Sequence, residues 1–127
     1  MESMFRLAAN FTDLGAAVLS EKPWILYFEN FISLEEADVF IKLSADRFER
    51  SLAGDKKSRH RTSSQAWCTI PQCFTNPLIE DVHQRIVNVT GVPHENAEHF
   101  QILEYLEGQY YNSHQDQNFQ PDSLVGV

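Results

Sequence analysis

His114 and Asp116 stand two residues apart near the end of the run QILEYLEGQYYNSHQDQN, residues 101–118. In an extended strand, residues i and i+2 project from the same face. An imidazole and a carboxylate placed that way converge on one point. They supply two of the three ligands of a 2-His-1-carboxylate triad, the arrangement that holds non-haem Fe(II) and leaves coordination positions open. H-x-D alone is a weak motif, because a turn near a strand end with both side chains solvated also accommodates it.

The elements around the pair decide how it is presented. Phe100, Ile102, Glu104 and Leu106 alternate with Gln101, Leu103 and Tyr105, a period of two that predicts a strand over 100–106. Glu107-Gly108 is a turn signal, and Tyr110-Tyr111 leads a second run, 109–116, into the dyad. The expectation is a hairpin with His114 and Asp116 at its far end.

Upstream, Trp24 to Phe28 reads as a buried strand. Ser33 with Glu36 three residues later is a capping box, so a helix starts at Leu34 and runs to Phe48, with Ala37, Phe40, Ile41 and Ser44 on its inner face. Residues 49–53 suit a short strand, 54–59 a polar loop, and 61–69 a return to strand around Trp67. Asn76-Pro77 is an N-cap with proline at the first helical position. Leu78, Val82, Ile86 and Val89 then recur at helical spacing up to a stop at Gly91. His83 falls on the polar side of that stripe, His94 lies in a turn, and His99 opens the metal-side strand.

Several stretches, taken in order, resemble the 2-oxoglutarate/Fe(II)-dependent dioxygenases, specifically the prolyl 4-hydroxylase family. The run E-x-F-Q-I-L-x-Y-x-x-G-Q-Y-Y-x-x-H-x-D carries the resemblance most directly. Phe31-Ile32-Ser33 with Glu35-Glu36, Arg61-Thr62-Ser63-Ser64 with Trp67, and Thr90-Gly91-Val92-Pro93 agree with it. The similarity covers about residues 24–118.

That resemblance implies an α+β chain forming the N-terminal part of a double-stranded β-helix, or jelly-roll, with two flanking helices and incomplete at the C-terminus. Residues 1–22 are then a poorly ordered or weakly helical lead-in, and 23–127 a partial dioxygenase domain. It implies Fe(II) on His114 and Asp116, 2-oxoglutarate as co-substrate, and L-ascorbate as reductant. Tyr105 matches the tyrosine whose hydroxyl contacts 2-oxoglutarate, or is a core or rim tyrosine. Tyr111 matches an aromatic near the peptide. Arg61 is a substrate-facing residue by the same likeness, or a surface loop cation. The substrate class is prolyl residues in a protein or peptide, hydroxylated with oxidative decarboxylation of 2-oxoglutarate. The resemblance also implies the endoplasmic reticulum, although Met1 to Lys22 shows no signal-peptide pattern.

The other histidines, His60, His83, His94 and His99, all precede the dyad. None matches the distal metal histidine, and nothing after Asn118 supplies it or the basic anchor for 2-oxoglutarate. The expectation is the first half of a dioxygenase domain, either a fragment or a truncated paralogue that is inactive alone. The alternative function is a catalytically inactive half-domain, at most a weak metal or peptide binder.

Composition sets the outer limits. A chain of 127 residues with 43% hydrophobic content holds one domain with a core, and no stretch has the length of a membrane span. A net charge of −8 argues against nucleic acid as the main partner. The cations Arg47, Arg50, Lys56, Lys57, Arg59 and Arg61 cluster in one segment that reads as a solvated loop or a functional patch. Cys68 and Cys73 form C-x4-C, which is no zinc framework. It fits a local disulfide or two free thiols. Asn10-Phe11-Thr12 and Asn88-Val89-Thr90 match the glycosylation sequon, which matters only in the secretory pathway.

Overall fold

The computed structural model describes residues 2–52, 57 and 59–114. Four helices and two small antiparallel sheets make the described part α+β. In order they are α1 (Glu2–Ala8), β1 (Ala16–Glu21), β2 (Trp24–Phe28), α2 (Leu34–Ser44), β3 (Glu49–Arg50), β4 (Ser64–Trp67), α3 (Pro71–Thr75), α4 (Pro77–Thr90) and β5 (Gln101–Glu104). Short 3-10 turns precede β1 and β5, at Thr12–Leu14 and His94–Asn96.

The region expected to be a poorly ordered or weakly helical lead-in holds a short helix, Glu2–Ala8, and a strand. β1 pairs antiparallel with β2, from Ala16 opposite Phe28 to Glu21 opposite Trp24. α1 lies against β2, with Phe5 stacked on Trp24 at 5.7 Å and the Arg6 guanidinium 5.3 Å from the same indole. The sequence signal was weak because β1, AAVLSE, has no clean alternation and draws its order from β2. β2 is half-buried rather than buried, since Ile25 and Tyr27 point outward.

α2 begins as its capping box requires. Glu36 N–H donates to Ser33 Oγ at 3.1 Å, and Ser33 N–H donates to Glu36 Oε2 at 2.8 Å. It ends at Ser44, four residues short of Phe48, and the Ser44 hydroxyl donates back to the Phe40 carbonyl. Its buried face is Glu36, Phe40 and Ser44; Ile41, expected inside, is 59% exposed.

α4 follows its punctuation closely. Asn76 Oδ1 accepts from Leu78 N–H at 2.9 Å, Pro77 opens the helix, and Gly91 closes it at φ +69° with its N–H on the Val87 carbonyl. Ile79, Val82 and Val89 are its buried residues. Ile79 and Val82 join Phe40, Cys68 and Cys73 in the core, with Leu43, Ile86, Phe100 and Ile102 packed around them. Cys68 and Cys73 are disulfide-bonded, across the start of α3.

Glu36 does more than cap. Arg85 on α4 reaches it with Nη2–Oε1 at 2.8 Å and Nη1–Oε2 at 3.1 Å, and Nη1 also donates to the Phe31 carbonyl. The hydrogen bond from Arg85 holds the Glu36 carboxyl below the usual glutamate range against the opposing effect of burial, and the Ser33 N–H adds to it. A carboxylate whose folded pKa is depressed contributes stability that is full above its unfolded value, about 4.3. That contribution is lost as pH falls through the folded value. Urea midpoints should therefore fall from about pH 5 downward, and Glu36→Gln should flatten that acid limb.

The second sheet has the order β3-β4-β5, all antiparallel. Ser64 faces Glu104 and Trp67 faces Gln101 across β4 and β5. The expected hairpin of 100–106 with 109–116 does not form among the described residues. β5 covers only Gln101–Glu104 and pairs with β4, while the following segment attaches elsewhere. Of the expected loop at 54–59, residues 54–56 and 58 lie outside the described residues.

Candidate metal site

Residues 110–112 lie against 59–62 rather than against β5. The chain turns at Gly108, whose φ of +81° suits glycine. Thr62 N–H donates to the Tyr110 carbonyl at 2.8 Å, and Tyr110 N–H donates to Thr62 Oγ1 at 2.7 Å. Asn112 N–H donates to the His60 carbonyl at 2.8 Å, with Arg61 and Tyr111 forming an antiparallel bridge between these bonds. The Tyr110 hydroxyl donates to the Arg59 carbonyl. Asn112 Nδ2 and His60 Nδ1 add a side-chain contact at 3.0 Å.

This pairing brings three of the sequence-derived residues together. The Tyr111 ring stacks on the His114 imidazole, centroids 3.6 Å apart and planes 17° apart. The Arg61 guanidinium lies 4.7 Å from the centre of the Tyr111 ring. Beneath it, Arg61 Nε donates to Ser63 Oγ at 3.3 Å and Nη1 donates to the Leu52 carbonyl at 3.1 Å. Ser63 Oγ in turn donates to Ser51 Oγ at 2.9 Å, and both serines are fully buried.

Arg61 is 9% exposed, so it is not a surface loop cation. Arg50 is also drawn inward, donating to the carbonyls of Thr62 and Arg61. The basic cluster is thus in part a scaffold that holds the 59–63 segment.

His114 Nδ1 lies 2.8 Å from the Asn112 carbonyl oxygen. A carbonyl oxygen only accepts, so Nδ1 carries a proton, and a ring with a single proton then has its lone pair on Nε2. A metal-binding histidine is oriented in this way by its other ring nitrogen. His114 fits one position of the expected metal site on that ground. Asp116, the expected second ligand, lies outside the described residues. No group of three or more His, Cys, Asp or Glu placed to hold a metal occurs among the described residues. Tyr105 lies beyond the end of β5 and is 46% exposed.

Of the other histidines, His94 lies in a turn as expected, and His83 departs from expectation. His83 is not a plain surface residue: its ring packs 4.1 Å from His94 and 4.2 Å from Phe100. Burial, then the neighbouring His94, lowers its pKa, with Glu80 opposing and His99 adding slightly. His99 meets Phe74 edge-on at 5.3 Å. The sequence could not show the Arg61–Tyr111–His114 stack or the Ser51–Ser63 pair, because they join residues far apart in the chain or follow no periodicity.

Comparison with known proteins gives the family. Probable prolyl 4-hydroxylase 7 of Arabidopsis thaliana is 36% identical over 104 residues, which is 77% of this chain and 32% of that protein. Prolyl 4-hydroxylase 5 of the same plant is 33% identical over 105 residues, 78% of this chain and 35% of the relative. Probable prolyl 4-hydroxylase 3 is 33% identical over 110 residues, 82% and 37% of the two chains. No family model matches the chain, and no solved structure matches it significantly. The chain spans about a third of the length of these relatives. With the likeness extending over most of its own residues, the chain belongs to the prolyl 4-hydroxylase family.

Proposed function

We propose that the chain contributes the first metal-ligand pair of an Fe(II)- and 2-oxoglutarate-dependent dioxygenase acting on prolyl residues of a protein or peptide. The observation that supports this most is the His114 imidazole with its Nδ1–H on the Asn112 carbonyl, the way a metal-binding histidine is oriented by its other ring nitrogen. On this reading His114 and Asp116 hold Fe(II) as neutral imidazole and carboxylate. Bound Fe(II) with 2-oxoglutarate supplies the oxidising chemistry, with L-ascorbate as reductant.

The protein's own part is orientation. Tyr105 offers its hydroxyl to 2-oxoglutarate, and Tyr111 lies where a proline-containing peptide passes the metal. Residues 23–127 belong to a jelly-roll domain in this proposal, preceded by the α1–β1 segment. The Cys68–Cys73 disulfide suits an oxidising compartment such as the endoplasmic reticulum.

The test is a proline-rich peptide incubated with the full-length protein, Fe(II), 2-oxoglutarate and ascorbate, then read by mass spectrometry. The expected result is one added oxygen on proline, abolished in His114→Ala and in Asp116→Ala. A peptide left unmodified by wild type, or modified equally by His114→Ala, contradicts the proposal.

A further inference from the structure

We propose that Arg61 is a positioning residue for His114, acting through the ring of Tyr111. This rests on the reading of His114 as a metal ligand, and extends it to a residue that touches neither metal nor co-substrate. His114 is exposed and lies outside any strand, so a backbone element does not fix its ring. Among the described residues, the Nδ1–H bond to the Asn112 carbonyl and the face of Tyr111 orient it. The first fixes the tautomer. The second fixes the plane of the imidazole, since rings 3.6 Å apart and 17° from parallel leave little freedom of rotation about χ2.

Tyr111 too lies outside the named strands; the hydrogen bonds at Tyr110 and Asn112 hold its backbone, and its ring needs a support of its own. Arg61 provides that support. A guanidinium beside an aromatic ring is attracted by its π face, the more strongly as water is excluded. This one is buried and cannot swing, as Nε and Nη1 are committed to Ser63 and Leu52 over the buried Ser51–Ser63 pair. Those commitments turn the guanidinium inward and fix it on the scaffold. Lysine keeps the charge but lacks the planar fork and face, so it cannot replace arginine here.

Two measurements on the full chain separate this inference from the reading beneath it. The first is a histidine side-chain 1H–15N correlation spectrum of the metal-free protein, with His114 assigned by its loss in His114→Ala. Ring protons over the tyrosine face are shielded. Arg61→Ala and Tyr111→Leu should therefore move the His114 protons downfield, while Tyr111→Phe leaves them near wild type. The second is Mn(II) titration, where Arg61→Ala and Tyr111→Leu should bind about tenfold more weakly than wild type, the scale seen when an orienting partner is lost.

Tyr111→Leu keeps the Arg61 bonds, and Arg61→Lys keeps the charge. These two variants decide the matter should Arg61→Ala fail to fold, with Arg61→Lys expected to shift His114 partway. Wild-type His114 resonances in Arg61→Lys or Arg61→Ala overturn the positioning role, even where Mn(II) binds. Failure of wild type to bind Mn(II) through His114 overturns the metal reading, whatever the spectrum shows.

Discussion

Arg85→Met should lower the unfolding free energy by about 3–5 kcal/mol, a large share of the roughly 5–15 kcal/mol of a typical domain. The magnitude turns on burial. An exposed ion pair contributes about 0.2–1 kcal/mol, because water solvates each partner well when the pair is broken. Here the Glu36 side chain is 7% exposed and that of Arg85 24%, at a separation of 2.8 Å. Removing Arg85 strands a carboxylate inside and leaves the Phe31 carbonyl without its donor. Glu36→Leu combined with Arg85→Met should recover part of the loss, since no charge is then left buried. Urea unfolding followed by tryptophan fluorescence checks both. A single variant within about 1 kcal/mol of wild type would show the pair to behave as a surface contact.

Ile79→Ala should cost about 2–5 kcal/mol, from lost burial and the cavity left behind. Ile79 is 1% exposed and sits where α4 meets Phe40, Cys68 and Cys73. The first turn of α4 is also pinned by the Asn76 cap and by the disulfide-closed α3 before it, so collapse onto a smaller side chain is restricted. Ile79→Val should cost only about 0.5–1.5 kcal/mol. Ile41→Ala, on the exposed face of α2, should fall within about 0.5 kcal/mol of wild type. Equal losses at Ile79 and Ile41 would mean that the helix faces are assigned wrongly.

The contrast between those two isoleucines shows what the sequence could tell. Local chemistry was legible: the Ser33–Glu36 box, the Asn76-Pro77 start and the Gly91 stop all appear where the residues place them. Each depends on neighbours within a few positions. Ile41 was misplaced because a helical stripe this short allows two rotations, and the Glu36–Arg85 pair chose between them. A charged residue on a helix reads as exposed until its partner, 49 positions away, is known.

The same limit shaped the site. The H-x-D run and the aromatic pair before it pointed to His114 and Tyr111, which the fold does bring together. The pairing that does so was not legible. Alternation over 100–106 followed by a glycine turn predicts a hairpin, yet β5 is already paired with β4. The segment after the turn finds its hydrogen bonds on 59–62 instead. Nothing local distinguishes these two partners, since both offer extended backbone.

The central claim is that His114 is a metal ligand, and calorimetric titration with Mn(II), a redox-stable surrogate for Fe(II), tests it most directly. Wild type should give a weak, saturable heat that disappears in His114→Ala and survives in His99→Ala, as a site short of its full ligand set binds loosely. Equal heats in wild type and His114→Ala would contradict the account and remove His114 from the site.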